Sequence, residues 1–119
     1  MSQKVQYSFL LDEKVTTIQM DEIYSEDFGT SIWPSSIHLA ELIFQNHQYF
    51  RGKTVLELGC GPGLSGIAAA KCGSIVYLTD LDDPKTILQN CKKNCEINNV
   101  QNVTFVVCSK SFVFYIIYV

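Results

Sequence analysis

The stretch TVLELGCGPG, at residues 54–63, constrains the fold of this chain more than any other segment. It begins as a short apolar run at Thr54–Leu58, which is typical of a buried parallel strand when glycine follows it. The alanine-rich segment Leu64–Cys72 comes next and is closed by Gly73, which predicts a helix with glycine after its C-cap. A strand, a glycine turn and a helix form the entrance of a nucleotide site, because glycines let the backbone approach a ligand. The glycines of this turn are Gly59, Gly61 and Gly63.

The identity of the ligand depends on Glu57. Residues 61–66, GPGLSG, match the dinucleotide pattern GxGxxG, but that pattern needs its first glycine at the strand end, where Gly59 stands. Glu57 precedes Gly59 by two residues and therefore lies on the same face, where its carboxylate would repel a pyrophosphate. S-adenosylmethionine fits better, since it carries an ammonium and a sulfonium and no phosphate. The alternative is a structural carboxylate that pairs with Lys53 or Arg51.

A second carboxylate supports a nucleoside ligand. Residues 74–79 predict another apolar strand, and it ends in Asp80, 21 residues after Gly59. A carboxylate about 20 residues on, at the next strand end, can accept hydrogen bonds from ribose hydroxyls. Methyl-donor and dinucleotide sites share this feature, so Asp80 indicates a nucleoside and no particular cofactor. The alternative role, an N-cap or a solvated loop acid, suits Asp82 and Asp83 better, because Asp83 precedes Pro84 at a helix start.

The rest of the chain predicts further strands and helices around this centre. Two extended segments separated by the polar residues 12–14 predict an N-terminal β-hairpin. Helical spacing of apolar residues predicts two helices that begin near prolines, and the alternation of strands and helices indicates a parallel sheet. The predicted segments are Val5–Leu11 and Val15–Met20 for the hairpin, 21–31 for a loop, 34–46 and 84–98 for helices, and Val103–Cys108 for a third strand.

Trp33 and two histidines are the other candidates for a site. Trp33 is the only tryptophan and comes just before the first predicted helix. Taken alone, it is better explained as a core residue than as a cofactor contact, because large aromatic side chains usually bury for their area. His38 and His47 have no paired acid or thiol in the sequence pattern, and we assign them no catalytic role.

Charge and cysteine content exclude several classes of protein. The net charge of −3 argues against a broad nucleic-acid surface. An N-terminal apolar signal and an apolar run of about 18 residues are both absent, which predicts a soluble protein of the cytoplasm, with the nucleus as a second compartment. Cys91 and Cys95 lie four apart on a predicted helix, but no CxxC or nearby histidine completes a metal site. Buried free thiols explain the five cysteines better, and no metal is predicted. They are Cys60, Cys72, Cys91, Cys95 and Cys108.

Taken together, IWPSS at 32–36, LELGCGPGLSGI at 56–67, AKCG at 70–73 and Asp80 resemble the methyltransferase family 16 group of protein methyltransferases, over residues 7–107. The resemblance implies an α/β fold, namely the N-terminal half of a class I Rossmann-like methyltransferase domain. It would have a parallel sheet of three to four strands beside the hairpin. The resemblance also implies S-adenosylmethionine as cofactor and a lysine or arginine nitrogen of a protein as substrate. It makes Trp33 a cofactor contact, and it suggests no catalytic residue. The predicted cofactor-binding residues are Trp33, Glu57, Gly59, Cys60, Gly61, Gly63 and Asp80.

The resemblance ends after the third strand. The family continues with a tryptophan-containing segment and an acid-ended fourth strand, whereas this chain continues with FVFYIIYV at 112–119. We therefore expect a C-terminally truncated form. Its uncharged tail is rich in aromatic and β-branched residues, and we expect it to pair parallel with Thr54–Leu58 in place of the fourth strand. One face of this tail would remain poorly covered, so we expect a marginally stable chain that is prone to associate. The predicted surface for self-association is the exposed sheet edge.

These patterns divide the chain into three segments: residues 1–31 form a hairpin and loop, 32–108 a cofactor-binding half-domain, and 109–119 a divergent apolar tail. The predicted function is an S-adenosylmethionine-dependent protein N-methyltransferase with a protein partner, no direct nucleic acid and no membrane. One alternative is a truncated, non-catalytic form that acts as a binding or regulatory module. A second alternative is a dinucleotide-dependent oxidoreductase, but Glu57 and the misplaced GxGxxG argue against it.

Overall fold

A computed structural model describes residues 1–24, 28–81, 86–108 and 115–118 of the chain. Within these residues an N-terminal hairpin precedes a mixed arrangement of helices and strands. The hairpin strands are β1 (Ser2–Leu11) and β2 (Lys14–Ile23), and a short 3-10 turn at Phe28–Thr30 follows. The remaining elements are α1 (Pro34–Gln45), α2 (His47–Phe50), β3 (Thr54–Leu58), α3 (Leu64–Lys71), β4 (Ile75–Leu81), α4 (Thr86–Ile97), β5 (Val103–Cys108) and β6 (Tyr115–Tyr118).

The central sheet has the strand order β5-β4-β3-β6. The pairs β3–β4 and β4–β5 are parallel, with Val55 opposite Val76 and Val76 opposite Val103. The α/β class, the parallel three-stranded sheet and the separate hairpin are therefore confirmed. The bounds predicted for β3 and β5 are also those that the structure shows.

The tail takes the predicted place in the sheet but the opposite direction. β6 pairs with β3 antiparallel, with Tyr118 opposite Val55 and Tyr115 opposite Leu58. The prediction of a parallel pair was therefore wrong. Only residues 109–114 separate β5 from β6. A parallel strand needs a crossover connection of a dozen residues or more, so this chain length suits an antiparallel return.

The hairpin is longer than its sequence pattern predicted. Residues 21–23, predicted as the start of a loop, continue β2 because β1 offers partners as far as Ser2, opposite Ile23. The turn consists of Asp12 and Glu13, which both adopt positive φ, as the two central residues of a type I′ turn require. The turn also contradicts the expectation for His47, because its Nε2 atom lies 3.1 Å from Asp12 Oδ2. This contact joins elements that are distant in sequence.

The core lies between the central sheet and its covering helices. Val55, Val76 and Leu78 project from the sheet and are fully buried, as is Ile67 of α3. Helix α3 contacts β3 and β4, and α4 contacts β4 and β5. An outer layer follows, since α1 contacts α3 and β2 contacts α4. The Phe44 ring of α1 lies 5.2 Å from that of Phe9 in β1, which ties the hairpin to this layer.

The fourth helix confirms the predicted apolar face, with Ile87, Cys91 and Cys95 buried and Leu88 partly buried. The predicted N-cap acids Asp82 and Asp83, with Pro84, lie outside the described residues. In the described part of the chain, no helix is both long and apolar enough to cross a bilayer. The same part of the chain has no group of three potential metal-ligating residues.

Candidate functional site

A cleft of about 590 Å³ opens where the carboxyl ends of β3 and β4 face helix α1. Its volume falls in the range of small-molecule sites, about 300–1,000 Å³. Ligands of parallel α/β sheets bind at this edge of the sheet. The residues that line the cleft are Gly29, Ser31, Trp33, Ser35, Ser36, His38, Leu39, Leu42, Glu57, Leu58, Gly59, Cys60, Gly61, Pro62, Ser65 and Asp80.

Glu57 is a buried carboxylate with too few hydrogen-bond partners. Ser65 of α3 donates its hydroxyl proton to Oε1, while Oε2 is buried and has no partner in hydrogen-bond geometry among the described residues. Burial raises the pKa of Glu57 to about 7; the Ser65 hydrogen bond opposes this shift, the Asp80 charge adds to it, and the Gly66 amide opposes it. Neither Lys53 nor Arg51 pairs with it; the Lys53 ammonium lies over the Tyr49 ring, 5.4 Å from its centre. A buried carboxylate left partly unpaired is costly, so a cationic ligand group would stabilise it.

Asp80 lies on the neighbouring strand and is hydrogen-bonded at both oxygens. Gly61 donates its N–H to Oδ2 at 2.8 Å, and Leu81 donates its N–H to Oδ1 at 2.7 Å. Each carboxylate oxygen has two acceptor positions, so one position on each oxygen remains for a ligand hydroxyl. Asp80 therefore holds the glycine loop, residues 59–63 between β3 and α3, and still has acceptor positions that suit the hydroxyls of a ribose.

Backbone hydrogen bonds also hold the glycine loop in place. Cys60 donates its N–H to the Thr79 carbonyl at 2.9 Å, and Gly63 donates its N–H to the Cys60 carbonyl at 3.0 Å. Gly63 is the N-cap of α3 and has a φ of 96°, and an added Cβ would lie 2.6 Å from Cys91 Sγ. A side chain at Gly63 would therefore meet both backbone strain and a buried thiol.

The thiol of Cys60 lies in the wall of the cleft, 3.8 Å from the Sγ atom of Cys91. The Cys91 hydrogen bond lowers the pKa of Cys60, but burial and the charges of Glu57 and Asp80 raise it above its ordinary value overall. A thiol with a raised pKa is a poor nucleophile, so Cys60 contributes shape more than reactivity. All five cysteines are free, and four are buried, which fits the prediction of unpaired thiols; Cys108 is only partly buried.

The opposite wall of the cleft comes from α1 and the residue before it. Trp33 keeps 40% of its surface exposed at the N-cap of α1 and lines the cleft, so it is not the core residue that its size alone suggested. His38 also lines the cleft. The sequence analysis gave Trp33 a role through the family resemblance but gave none to the residues of α1. Ser35, His38 and Leu42 nevertheless follow the helical spacing that places residues on one face.

The structure brings six of the seven predicted cofactor-binding residues to this cleft. They are Trp33, Glu57, Gly59, Cys60, Gly61 and Asp80. Gly63 is not among the lining residues and has its place at the start of α3. The sequence analysis did not include Ser65, whose hydroxyl donates to Glu57. Its position in the first turn of the helix that follows the glycine loop, eight residues after Glu57, could have indicated this contact.

The charge of the cleft favours a ligand with cationic groups. Two buried carboxylates, Glu57 and Asp80, face it, and none of the described lining residues is lysine or arginine. A pyrophosphate would meet negative charge and, among the described lining residues, neither a lysine nor an arginine. A nucleoside that carries positive charge would meet complementary groups.

Comparison with known proteins places the chain among protein methyltransferases. Residues 12–110 match a family described as lysine methyltransferase. The histone-arginine methyltransferase METTL23 of Xenopus laevis is 35% identical over 92 residues, covering 77% of this chain and 39% of the relative. The human protein of that name is 36% identical over 75 residues, covering 63% and 40%. The electron transfer flavoprotein beta subunit lysine methyltransferase of Xenopus laevis is 34% identical over 82 residues, covering 69% and 33%.

The chain spans about two fifths of the length of the METTL23 relatives. The resemblance predicted from the motifs, including a likeness to methyltransferase-like protein 23 within the family, is confirmed. The family match covers the hairpin strand β2, the glycine loop, both cleft carboxylates and β5. The chain belongs to the lysine methyltransferase family.

Proposed function

We propose that the cleft binds S-adenosylmethionine and that the chain carries the cofactor half of a protein N-methyltransferase. The observation that carries this proposal is the unpartnered Oε2 atom of Glu57, buried in a cleft wall without a described lysine or arginine. The ammonium of the methyl donor is the group that such an atom would accept. The family membership supports methyl transfer as the reaction.

The residues of this chain would hold the two polar ends of the methyl donor. Glu57 would accept a hydrogen bond from the ammonium group, and Asp80 would accept hydrogen bonds from the ribose hydroxyls with its remaining lone pairs. The backbone of Gly59, Cys60 and Gly61 would approach the ligand closely. Trp33 would cover it from the side of α1, where its exposed surface faces the cleft.

The bound cofactor supplies a methyl group on a sulfonium, which a nitrogen lone pair displaces in line. Such a reaction depends on orientation more than on an enzyme nucleophile, so positioning of the two reactants carries much of the rate. We assign no catalytic residue within this chain. Relatives named for arginine and for lysine methylation both match, so either side chain of a protein substrate is consistent with the proposal.

Calorimetric titration of the 119-residue chain tests the site. We expect S-adenosylmethionine and S-adenosylhomocysteine to bind, and nicotinamide dinucleotides to bind more weakly. Glu57→Gln should weaken methyl-donor binding by roughly 1.5–3 kcal/mol, because a hydrogen bond to a charged group is lost. Glu96→Gln, on the exposed surface of α4, is the matched control and should leave binding unchanged. Tighter binding of a dinucleotide than of the methyl donor would overturn the proposal.

The non-catalytic alternative predicted from the sequence uses the same cleft. Turnover separates the two: transfer of a labelled methyl group to histone or to another protein supports an enzyme. Binding of the methyl donor without transfer supports a binding module.

A further inference from the structure

The side chain of Asn94, in the middle of α4, contacts two other parts of the protein. It is fully buried. Its Oδ1 atom accepts the N–H of Asp21 at 2.7 Å, and its Nδ2 atom donates to the Asp21 carbonyl at 3.2 Å. The same Nδ2 atom donates to the Pro62 carbonyl at 3.0 Å. One amide side chain therefore joins strand β2 of the hairpin to the glycine loop.

The contact with Pro62 completes the support of the loop. On the side of β4, Asp80 accepts the N–H of Gly61, and Thr79 accepts the N–H of Cys60. Asn94 supplies a hydrogen bond from the side of α4. Both protons of its amide are used, since one goes to Asp21 and one to Pro62.

Asn98 offers an internal comparison one turn later in the chain. It contacts Gln19 of β2 in the same way, accepting the Gln19 N–H at 2.9 Å and donating to the Gln19 carbonyl at 2.7 Å. Its other donated hydrogen bond goes to the Asn94 carbonyl within the helix at 2.7 Å. Both asparagines therefore dock the hairpin on α4, but the described contacts of Asn98 do not include the loop.

We propose that Asn94 is a positioning residue for the glycine loop. Through Asn94, the N-terminal hairpin braces the methyl-donor site. The identity of the ligand in this proposal rests on the proposed function. The brace, meaning the link from β2 through Asn94 to Pro62, rests on the hydrogen bonds alone. Buried polar groups are nearly always paired, so loss of the Asn94 amide leaves the Pro62 carbonyl without its partner. The loop would then be held from β4 but not from α4.

The test compares Asn94→Ala with Asn98→Ala in the full 119-residue chain. Each variant removes two hydrogen bonds to a backbone residue of β2, so both should lose stability. Only Asn94→Ala should weaken S-adenosylhomocysteine binding, by about tenfold, the change that one lost hydrogen bond produces. Hydrogen exchange at the amides of Gly61 and Gly63 should be faster in Asn94→Ala than in Asn98→Ala, whether or not ligand is present.

Equal affinity loss and equal exchange in the two variants would overturn the proposal. If Asn94→Ala does not fold, Asn94→Asp replaces it, because the carboxylate keeps the acceptor for the Asp21 N–H and loses the donor to Pro62. If the wild-type chain binds no S-adenosylhomocysteine, the proposed function fails. The exchange at Gly61 and Gly63 then decides the brace alone, with faster exchange in the Asn94 variant supporting it and equal exchange refuting it.

Discussion

The two faces of the central sheet differ in how far several of their apolar side chains are buried. On the face toward α3 and α4, Val76 and Leu78 of β4 are fully buried. On the other face, the alternate residues Ile75 and Tyr77 of the same strand are 51% and 38% exposed, and Val106 of β5 is 42% exposed. Side chains alternate between the two faces along a strand, so consecutive residues of β4 point in turn toward the core and toward solvent.

The comparison shows where the buried carboxylates of the sheet lie. The covered face carries Glu57 and Asp80 at the ends of its apolar rows, where α3 and the glycine loop partly satisfy them. The exposed face carries apolar side chains where solvent could have accepted charge. Parallel sheets are usually covered on both faces, so the exposed face is the unusual one.

Substitution at Gly66 should give the largest effect on the covered face. An added Cβ would lie 2.2 Å from Leu78 Cδ2 and 2.7 Å from Glu57 Oε2. Gly66→Val should therefore lower the free energy of unfolding by about 3 kcal/mol or more, since overpacking forces backbone and side chains to shift. Urea denaturation measures the loss.

Gly52→Ala is the control for the Gly66 variant. Gly52 has φ of 74° and nothing near its Cβ position, so only backbone strain applies, at about 1–2 kcal/mol. If Gly66→Val costs no more than Gly52→Ala, then α3 does not pack on β3 and β4 as closely as the structure shows.

The pH dependence of stability should follow Glu57. Its folded pKa of about 7 lies above the ordinary value of 4.5, so the folded chain holds a proton that the unfolded chain releases in this window. Stability should then fall as pH rises from 4.5 to 7, by about 3 kcal/mol at most. Glu57→Gln stays neutral and should lack this fall. Urea midpoints at pH 5, 6, 7 and 8 compare the two proteins, and parallel profiles would refute the assignment.

Features that depend on neighbouring residues could be predicted from the sequence. The run TVLEL, the following glycines and the helical spacing after Pro34 each act locally, and β3 and α1 appear where these patterns indicate. The spacing of Asp80 from Gly59 also sufficed, because two consecutive parallel strands bring their carboxyl ends to one edge.

Features that depend on distant partners could not be predicted. The antiparallel direction of β6 follows from a short connection. The end of β2 pairs with β1 and also contacts Asn94, which is 73 residues from Asp21. The row Asn90, Asn94 and Asn98 stood in the sequence at a spacing of four, but polar residues at that spacing usually lie on a solvated face. The burial of Asn94 and Asn98 becomes visible only when the hairpin is placed against α4.

The smallest effect on stability is expected on the exposed face. Tyr77→Lys removes an exposed aromatic ring from a strand whose backbone is paired on both sides, so the free energy of unfolding should change by about 0.5 kcal/mol or less. Self-association was predicted from the sequence through a sheet edge, and β6 now pairs the edge of β3. The exposed face offers a second surface for this association. A second copy would bury Ile75, Tyr77 and Val106 without burying any charge of this face.

Sedimentation velocity over a range of concentrations measures this association. The matched control is Leu10→Lys in the hairpin, where Leu10 is 67% exposed and the change in net charge is the same. Tyr77→Lys should shift the chain toward monomer, and Leu10→Lys should not. Equal weakening in both variants contradicts association through the exposed face, because the change in net charge that they share, from −3 to −2, reduces the repulsion between copies. A wild-type chain that stays monomeric at every concentration contradicts self-association through either the edge or the face.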